Sequence, residues 1–321
     1  MPDYRIKSVH AVQVQSRRHN MAVSARVETM DGAVGKALCY AGVSVGTHEV
    51  HFQYDGGNRW GGLGCMSAVR NVNTIIADTI LGMDVRNQFE IDQAMLSIQG
   101  NGSASVGGNA IAAVSAAVLK AGAAATQMPL YRYIGGENAC MLPVPGAPAF
   151  SGGERWGGAV HTHGNKPTGA FQCFGYDSFS EASSAAWDMY HLFAKELEKR
   201  GVTEGDWFFY RIPAGIFKHS DEELFELMAD VIHKTGNDGK AGIQIDVAAD
   251  CYYDRNHKRY RGLFSKEERD RDQLLAYYLK LMITKAMPFS GKNLVFKLWA
   301  MICIRLCVSG FLKAWKREQQ M

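Results

Sequence analysis

Alternating apolar and polar positions at the start of the chain predict a small β-sheet. The runs "KSVHAVQVQS" and "VSARVETMDGAVGKALCY" alternate with the period of two that strands show, and "MDG" inside the second run predicts a hairpin turn. A helical period follows in "GLGCMSAVRNVNTIIADTILGMD", "NQFEIDQAMLSIQG" and the alanine-rich "GGNAIAAVSAAVLKAGAAATQ". Residues 1–140 are therefore predicted to form a small α+β domain with three strands and several helices.

A second pattern begins after "ENACMLPVPGAPAFSGG", whose prolines and glycines predict a domain boundary. The short strand "GAFQCF", the helices "SEASSAAWDMYHLFAKELEKRG" and "SDEELFELMADVIHKTG", and the apolar strand "AGIQIDVAAD" come in that order. A helix followed by a strand is typical of a parallel α/β sheet. We therefore expect residues 141–285 to contain such a sheet, with "AGIQID" as a buried parallel strand.

Candidate chemistry lies at one strand end and in one loop. Asp246 ends the predicted strand, so its carboxylate lies either at the C-terminal mouth of an α/β sheet, where active sites occur, or at the cap of the next loop. His161 and His163 in "HTHGN" form either a metal-binding pair or part of a solvated loop. The glycine-rich loops lack the P-loop lysine and the GxGxxG spacing, so no nucleotide site is predicted.

Composition and charge narrow the class of protein. The chain has 321 residues, 47% of them hydrophobic and 21% charged, and a net charge of +3, which is too small to predict nucleic-acid binding. Seven widely spaced cysteines without a CxxC motif predict reduced thiols and a cytoplasmic location. The longest apolar run of the C-terminal segment, Leu298 to Leu312, contains Arg305 and is shorter than the about 20 residues of a membrane span, so no span is predicted.

Several segments, in order, resemble the enolase family. The matching pieces of the first domain include "VETMDGAVGKA", "AGVSVGTHE", "AVRNVNTIIA", "GGNAIAAVSAAV" and "LPVP", and "HTHGNK", "AFQCF", "MYHLF" and "IQIDVAAD" continue the resemblance to about Lys285. The resemblance implies an α+β N-terminal domain followed by an α/β barrel of the TIM type, in a cytoplasmic homodimer. It also implies phosphopyruvate hydratase activity, the glycolytic lyase reaction between 2-phosphoglycerate and phosphoenolpyruvate, with a lysine base and two Mg²⁺ ions.

The resemblance also assigns site residues. Asp246 matches a carboxylate that binds the first Mg²⁺, and Ser44 matches a loop serine that helps to bind the second. One of His161 and His163 matches a catalytic histidine, although the spacing of the loop leaves open which one.

Two catalytic positions depart from the family pattern. Cys173 in "FQCF" stands where the family has a catalytic glutamate, and Trp207 in "GDWFF" replaces a second glutamate. Pro148 occupies an asparagine position, and the segment that carries the second metal carboxylate has no counterpart. Only about three of the eight barrel strands are expected, so the barrel is predicted to be incomplete. We therefore expect weak Mg²⁺ binding and a catalytically defective chain; the alternative is a non-catalytic pseudo-enolase that acts by dimerisation or partner binding.

Residues 286–321 do not resemble the family and are predicted to be an aberrant, out-of-frame tail. The segment is basic and apolar where the family is acidic. Reading the codons of this segment from their third base gives a shifted reading frame. In that frame, four pairs of neighbouring residues encode the residue that the family has at the expected spacing. For one pair this holds only if the shifted frame has no stop codon there. The shifted codons give Gly at Trp299–Ala300, Asp at Met301–Ile302, Glu at Trp315–Lys316 and Gln at Phe296–Lys297.

Overall fold

The chain divides into two compact units, Met1–Met141 and Leu142–Met321. The fold comes from a computed structural model, and its described residues are 2–16, 19–41, 50–100, 105–152, 168–203, 205–206, 209–213, 216–217, 220–246, 249, 253–261 and 267–284.

The first unit is built on a three-stranded antiparallel sheet in the order β1-β2-β3. Gly32, with a φ of 88°, lies in the turn between β2 and β3, which confirms the predicted hairpin. The strands are β1 (Ile6–Gln15), β2 (Met21–Thr29) and β3 (Val34–Tyr40). The helices are α1 (Met66–Asn71), α2 (Ala77–Ile80), α3 (Gln88–Ser97), α4 (Gly108–Ala125) and α5 (Leu130–Gly135), and a π-helical turn (Val72–Ile76) joins α1 to α2.

Helix α4 packs directly on β2 and β3 and forms the centre of this unit's core. Gly35 permits the close approach, because a Cβ atom there would lie 2.0 Å from the Ala117 carbonyl oxygen and 2.3 Å from the Ala121 nitrogen. Among the described residues, α4 is the one helix with the length and apolar composition to cross a membrane, and half of it is buried inside the unit. The sequence therefore predicted this α+β unit correctly from its hydrophobic periods.

The second unit contains a five-stranded sheet in the order β6-β7-β4-β5-β8. Its strands are β4 (Gly146–Gly152), β5 (Thr168–Cys173), β6 (Gly205–Asp206), β7 (Phe209–Ile212) and β8 (Ala241–Asp246). Its helices are α6 (Phe179–Glu198), α7 (Glu222–Lys234) and α8 (Arg271–Thr284). Three short strands form a separate sheet: β9 (Tyr253–Asp254), β10 (Arg259–Arg261) and β11 (Glu268–Arg269).

The five-stranded sheet is mixed, which corrects the expectation of a purely parallel one. Strand β4 pairs in parallel with β7, but β5 pairs antiparallel with both β4 and β8. Strand β8 still runs in the direction of β4 and β7, because β5 lies between them and is reversed. It is half-buried rather than fully buried. Strands β4, β6 and β7 were not predicted, and β4 lies in the segment that was interpreted as a domain boundary. The sheet therefore has more strands than the three expected.

Helices α6 and α7 cover one face of this sheet, which we call the helix face and which carries Phe150, Phe171 and Cys173. The ring of Phe171 lies edge-on to Phe193 of α6 at a centroid distance of 5.6 Å, and Phe150 meets Phe225 of α7 at 6.3 Å. Phe150 also lies across Gly169 on the next strand, where a Cβ atom would be 2.1 Å from Cε1 of the ring. Absence of a side chain at Gly169 therefore allows this aromatic core to form.

A buried ion pair fixes β11 and α8 against the start of α7. Nη1 of Arg269 donates to Oδ2 of Asp221 at 2.5 Å, and the Asp221 side chain is fully buried. The same guanidinium also pairs with Glu267 and lies 4.0 Å above the ring of Tyr277. Three separate elements thus converge on one arginine.

Candidate functional site at the strand ends

Four side chains form a row at one end of the five-stranded sheet. Asp246, the last residue of β8, pairs with Thr168, the first residue of β5. Thr168 pairs with Ser151 near the end of β4, and Ser151 pairs with Arg211 near the end of β7. Because directly paired residues project to the same face of a sheet, we treat these four residues as one end row.

The end row lies on the face opposite the helix face, which we call the far face. Residues alternate between faces along a strand. Tyr210 packs beside Tyr190 of α6 and Ile212 lies in the helix-facing core, so Arg211 between them projects to the far face. Phe150 faces α7, so Ser151 likewise projects to the far face. Asp246 therefore lies at the C-terminal end of a sheet strand, as the sequence indicated, with a cation and two hydroxyls along the same row.

Cys173 lies far from Asp246 and on the other face. It pairs with Ala241, the first residue of β8, whereas Asp246 is the last. Five residue steps along a strand separate the two positions by about 17 Å. Cys173 is only 2% exposed and belongs to the helix-facing core, and this burial raises the pKa of its thiol to about 11. The structure does not bring these two predicted site residues together.

Pro148 does lie on the far face, opposite Ala170 and inside β4. The strand is irregular directly after it, with the register shifting between Pro148 and Phe150. Proline cannot donate a backbone hydrogen bond and has no side-chain amide, so Pro148 cannot make the hydrogen bonds of an asparagine side chain.

The remaining predicted site residues lie outside the described residues. These are Ser44, His161, His163 and Trp207, and the same holds for the tail from residue 286 onward.

The described residues by themselves do not fit a two-magnesium site. Among them, no group of three or more histidine, cysteine, aspartate or glutamate side chains is placed to hold a metal ion. Asp246 is the single carboxylate of the end row, and its neighbour Thr168 is neutral. Mg²⁺ requires near-octahedral oxygen ligands and is usually held by carboxylates together with substrate phosphate.

Sequence reasoning missed Ser151, Thr168 and Arg211. Each is unremarkable in the sequence, and each gains its place through pairing with residues that are distant along the chain. The sequence carries a signal for two of them. Arg211 and Ser151, like Asp246, are polar residues near the ends of apolar strands. Thr168 could not be found this way, because it begins a strand that runs in the reverse direction.

Comparison with known proteins finds one family over both units. A sequence-family model described as "Enolase, N-terminal domain" matches residues 6–134. A second, described as "Enolase, C-terminal TIM barrel domain", matches residues 139–285.

Curated relatives that match are named enolase. The enolase of Bifidobacterium longum subsp. infantis is 35% identical over 315 residues, covering 94% of this chain and 69% of the relative. The enolase of Campylobacter jejuni is 35% identical over 271 residues, covering 82% and 63%, and that of Methanopyrus kandleri is 37% identical over 287 residues, covering 87% and 64%.

This chain thus spans about two thirds of the length of the relatives that it matches. The Bifidobacterium match covers 94% of the chain, which is more than residues 1–285 make up. It therefore extends into the tail, beyond the end of the C-terminal family model at residue 285. The out-of-frame origin of the tail stays a prediction. On the family models and the relatives together, the chain belongs to the enolase family, with the N-terminal domain of that family followed by an incomplete TIM barrel.

Proposed function

We propose that this chain derives from the glycolytic phosphopyruvate hydratase and that it does not convert 2-phosphoglycerate to phosphoenolpyruvate as it stands. The observation that carries the proposal is the position of Cys173, at the place of a catalytic glutamate but on the helix face. In this chain the thiol at that position is buried in the core, about 17 Å along the sheet from Asp246.

The chemistry of the thiol supports the same conclusion. A general acid or base works best when its pKa lies near the operating pH. A buried thiol whose pKa is about 11 stays protonated at neutral pH and exchanges protons poorly. Even in a different orientation, Cys173 would not reproduce the proton handling of a glutamate.

Magnesium binding is proposed to be weak. By resemblance, Asp246 and Ser44 are the residues that would hold Mg²⁺, and the ion would supply charge stabilisation for an enolate. The end row contributes one carboxylate, which is fewer than such a site needs.

The test is the Mg²⁺-dependent formation of phosphoenolpyruvate from 2-phosphoglycerate by the purified full chain. The Campylobacter jejuni enolase, assayed in parallel, serves as the active control. We expect no product above the protein-free rate, and no change for Asp246→Asn. Turnover that requires Mg²⁺ and is lost in Asp246→Asn would overturn the proposal, because it would show a working metal site.

A second candidate function is dimerisation or partner binding without turnover. The outer face of the three-stranded sheet carries Val12 and Leu38 in one register row with Ser24, and both apolar side chains are nearly half exposed (47% and 45%). Tyr40, two residues along β3, extends this apolar surface. Light scattering of the full chain and of Leu38→Glu tests dimerisation through this surface. A dimer that the variant dissociates supports dimerisation, and a monomer at every concentration contradicts it.

The proposed location is the cytoplasm. The described cysteines Cys39, Cys65, Cys140 and Cys173 are free thiols, as a reducing compartment favours.

A further inference from the structure

The outer face of the three-stranded sheet carries a basic row next to its apolar row. His10, Arg26 and Lys36 are direct register partners on β1, β2 and β3. Each lies two residues along its strand from a member of the row that contains Val12 and Leu38, so both rows project to the same face. Two residues of a strand extend about 7 Å, which is the distance between the two rows.

The three strands carry an excess of positive charge. They contain Lys7, Arg26 and Lys36 against the single acid Glu28. Glu28 pairs with Arg26 at 2.6 Å and with Lys7 at 3.3 Å, and it lies two residues beyond Arg26, on the side away from the apolar row. Nζ of Lys120 donates to the main-chain oxygen of Lys36 at 3.1 Å, so α4 adds a second ammonium group at β3. The face is therefore positively charged where it borders the apolar row.

The apolar part of the same face is open to solvent. Val12 and Leu38 are 47% and 45% exposed, and Tyr40, in the next row with Ala22 and Val14, is 38% exposed. An exposed apolar area beside charged residues indicates an interaction surface. A tyrosine suits the boundary between water and lipid, because its ring is apolar and its hydroxyl is polar.

An anionic lipid surface matches this face better than a second copy of the chain does. An isologous dimer through the face would bring two positively charged rows together, whereas anionic headgroups attract such rows. Amphipathic surfaces bind lipid with their apolar side buried about 5–10 Å into the boundary between headgroups and acyl chains. The spacing of about 7 Å between the rows therefore places Lys36 among the headgroups when Leu38 reaches the acyl chains.

We propose that this outer face binds the anionic surface of a membrane peripherally, with Leu38 and Tyr40 at the acyl boundary and Lys36 at the headgroups. This membrane binding rests on the second candidate function, partner binding without turnover, and specifies the partner as an anionic lipid surface. Anionic lipids face the cytoplasm, which agrees with the proposed location. The face lies in the first unit, so the binding does not involve Cys173 or Asp246 of the second unit.

The test is co-sedimentation of the full chain with vesicles of phosphatidylserine and phosphatidylcholine in equal parts. We expect saturable binding that weakens as the salt concentration rises, and much weaker binding to vesicles of phosphatidylcholine alone. Lys36→Gln weakens the binding about fivefold, which is the effect of removing one cation near an anionic surface. Lys195→Gln, at an exposed position of α6, is the matched control and leaves the affinity unchanged. Absence of binding, or equal losses in both variants, would overturn the proposal.

Two further variants separate the sheet face from the basic C-terminal segment as the source of binding. Leu38→Ser weakens vesicle binding severalfold, because it removes an apolar side chain from the acyl boundary. Its unfolding temperature changes little, since Leu38 is already nearly half exposed. Lys316→Gln, in the C-terminal segment, leaves vesicle binding unchanged. A loss of binding in Lys316→Gln alone would assign the binding to that segment and contradict the proposal.

The other assays distinguish membrane binding from the proposed functions. A dimer that does not bind the mixed vesicles would support dimerisation and overturn membrane binding. Turnover of 2-phosphoglycerate by a chain that also binds the vesicles would overturn the proposal of defective catalysis and support membrane binding.

Discussion

Cys173 and Asp246 occupy opposite ends and opposite faces of one sheet, although resemblance to the family places both in the catalytic site. The pairing of β5 with β8 alone determines this relationship. Thr168 rather than Cys173 is the β5 residue beside Asp246. Cys173 therefore behaves as a small core residue.

Restoring the glutamate should damage the fold. Cys173→Glu places a carboxylate in the helix-facing core, and an unpaired buried charge costs about 3–5 kcal/mol. Cys173→Ala, the control, removes only a small apolar side chain and costs about 1 kcal/mol. Denaturant unfolding monitored by fluorescence measures both. Equal midpoints for the two variants would show that position 173 has access to water.

A side chain at Gly169 should disturb the aromatic core. Gly169→Ala forces the Phe150 ring to move, at a cost of about 1–3 kcal/mol, because the added Cβ would overlap the ring. In combination with Phe150→Leu, the cost of the alanine should shrink, and a double-mutant cycle of the free energy of unfolding measures this coupling. Strict additivity of the two substitutions would contradict the predicted contact.

Asp55 should make the free energy of unfolding of the first unit depend on pH. Its carboxylate accepts backbone hydrogen bonds from Met66 (2.9 Å) and Ser67 (2.7 Å) at the start of α1. Burial raises the pKa of Asp55, but these hydrogen bonds outweigh it and hold the pKa below the ordinary 3.8. Because the folded-state pKa is lowered, the stabilisation is present above about pH 4 and is lost as the pH falls below that value.

The matching experiment compares thermal unfolding of the unchanged chain with Asp55→Asn. The variant should be less stable by about 0.5–1 kcal/mol at pH 7, and the difference should shrink below pH 4. Asp78→Asn, at an exposed position, is the control and should change little at either pH. A stability difference that stays the same below pH 4 would show that the charge of the carboxylate is not its cause.

Asn73 should stabilise the edge of β1 and slow hydrogen exchange there. It lies in the π-helical turn, and its side-chain amide accepts from the Ala11 nitrogen at 2.7 Å and donates to the Ala11 oxygen at 3.1 Å. Asn73→Leu leaves both backbone groups without that partner and should cost about 2–3 kcal/mol. Hydrogen exchange at Ala11 should rise in the variant and stay low in Thr74→Val, whose hydroxyl bonds only within its own helix.

Local sequence patterns predicted the first unit well and the site poorly, for a physical reason. The periods of two and 3.6 specify β1 to β3 and α4, because each pattern reports burial within one element. The strand β7 was missed because "FYRI" is only four residues long and its aromatic residues do not alternate with polar ones. The reversed direction of β5 was also missed, since pairing between distant segments leaves no local signal.

The end row, too, could not be predicted from local sequence patterns. Asp246 and Arg211 are separated along the chain but share one row across four strands, and only the register reveals it. Family resemblance identified Asp246 from its motif, whereas Arg211 has no counterpart in the motifs of the resemblance.

The most direct test of the account is alkylation of Cys173 in the native chain, measured by mass spectrometry of peptides after brief exposure to iodoacetamide. Cys140, which is exposed, is the internal control, and labelling in denaturant gives full modification of both. Because its thiol is buried, with a pKa of about 11, Cys173 should react at least about 100-fold more slowly than Cys140. Equal native rates would place Cys173 on an accessible face and contradict the account.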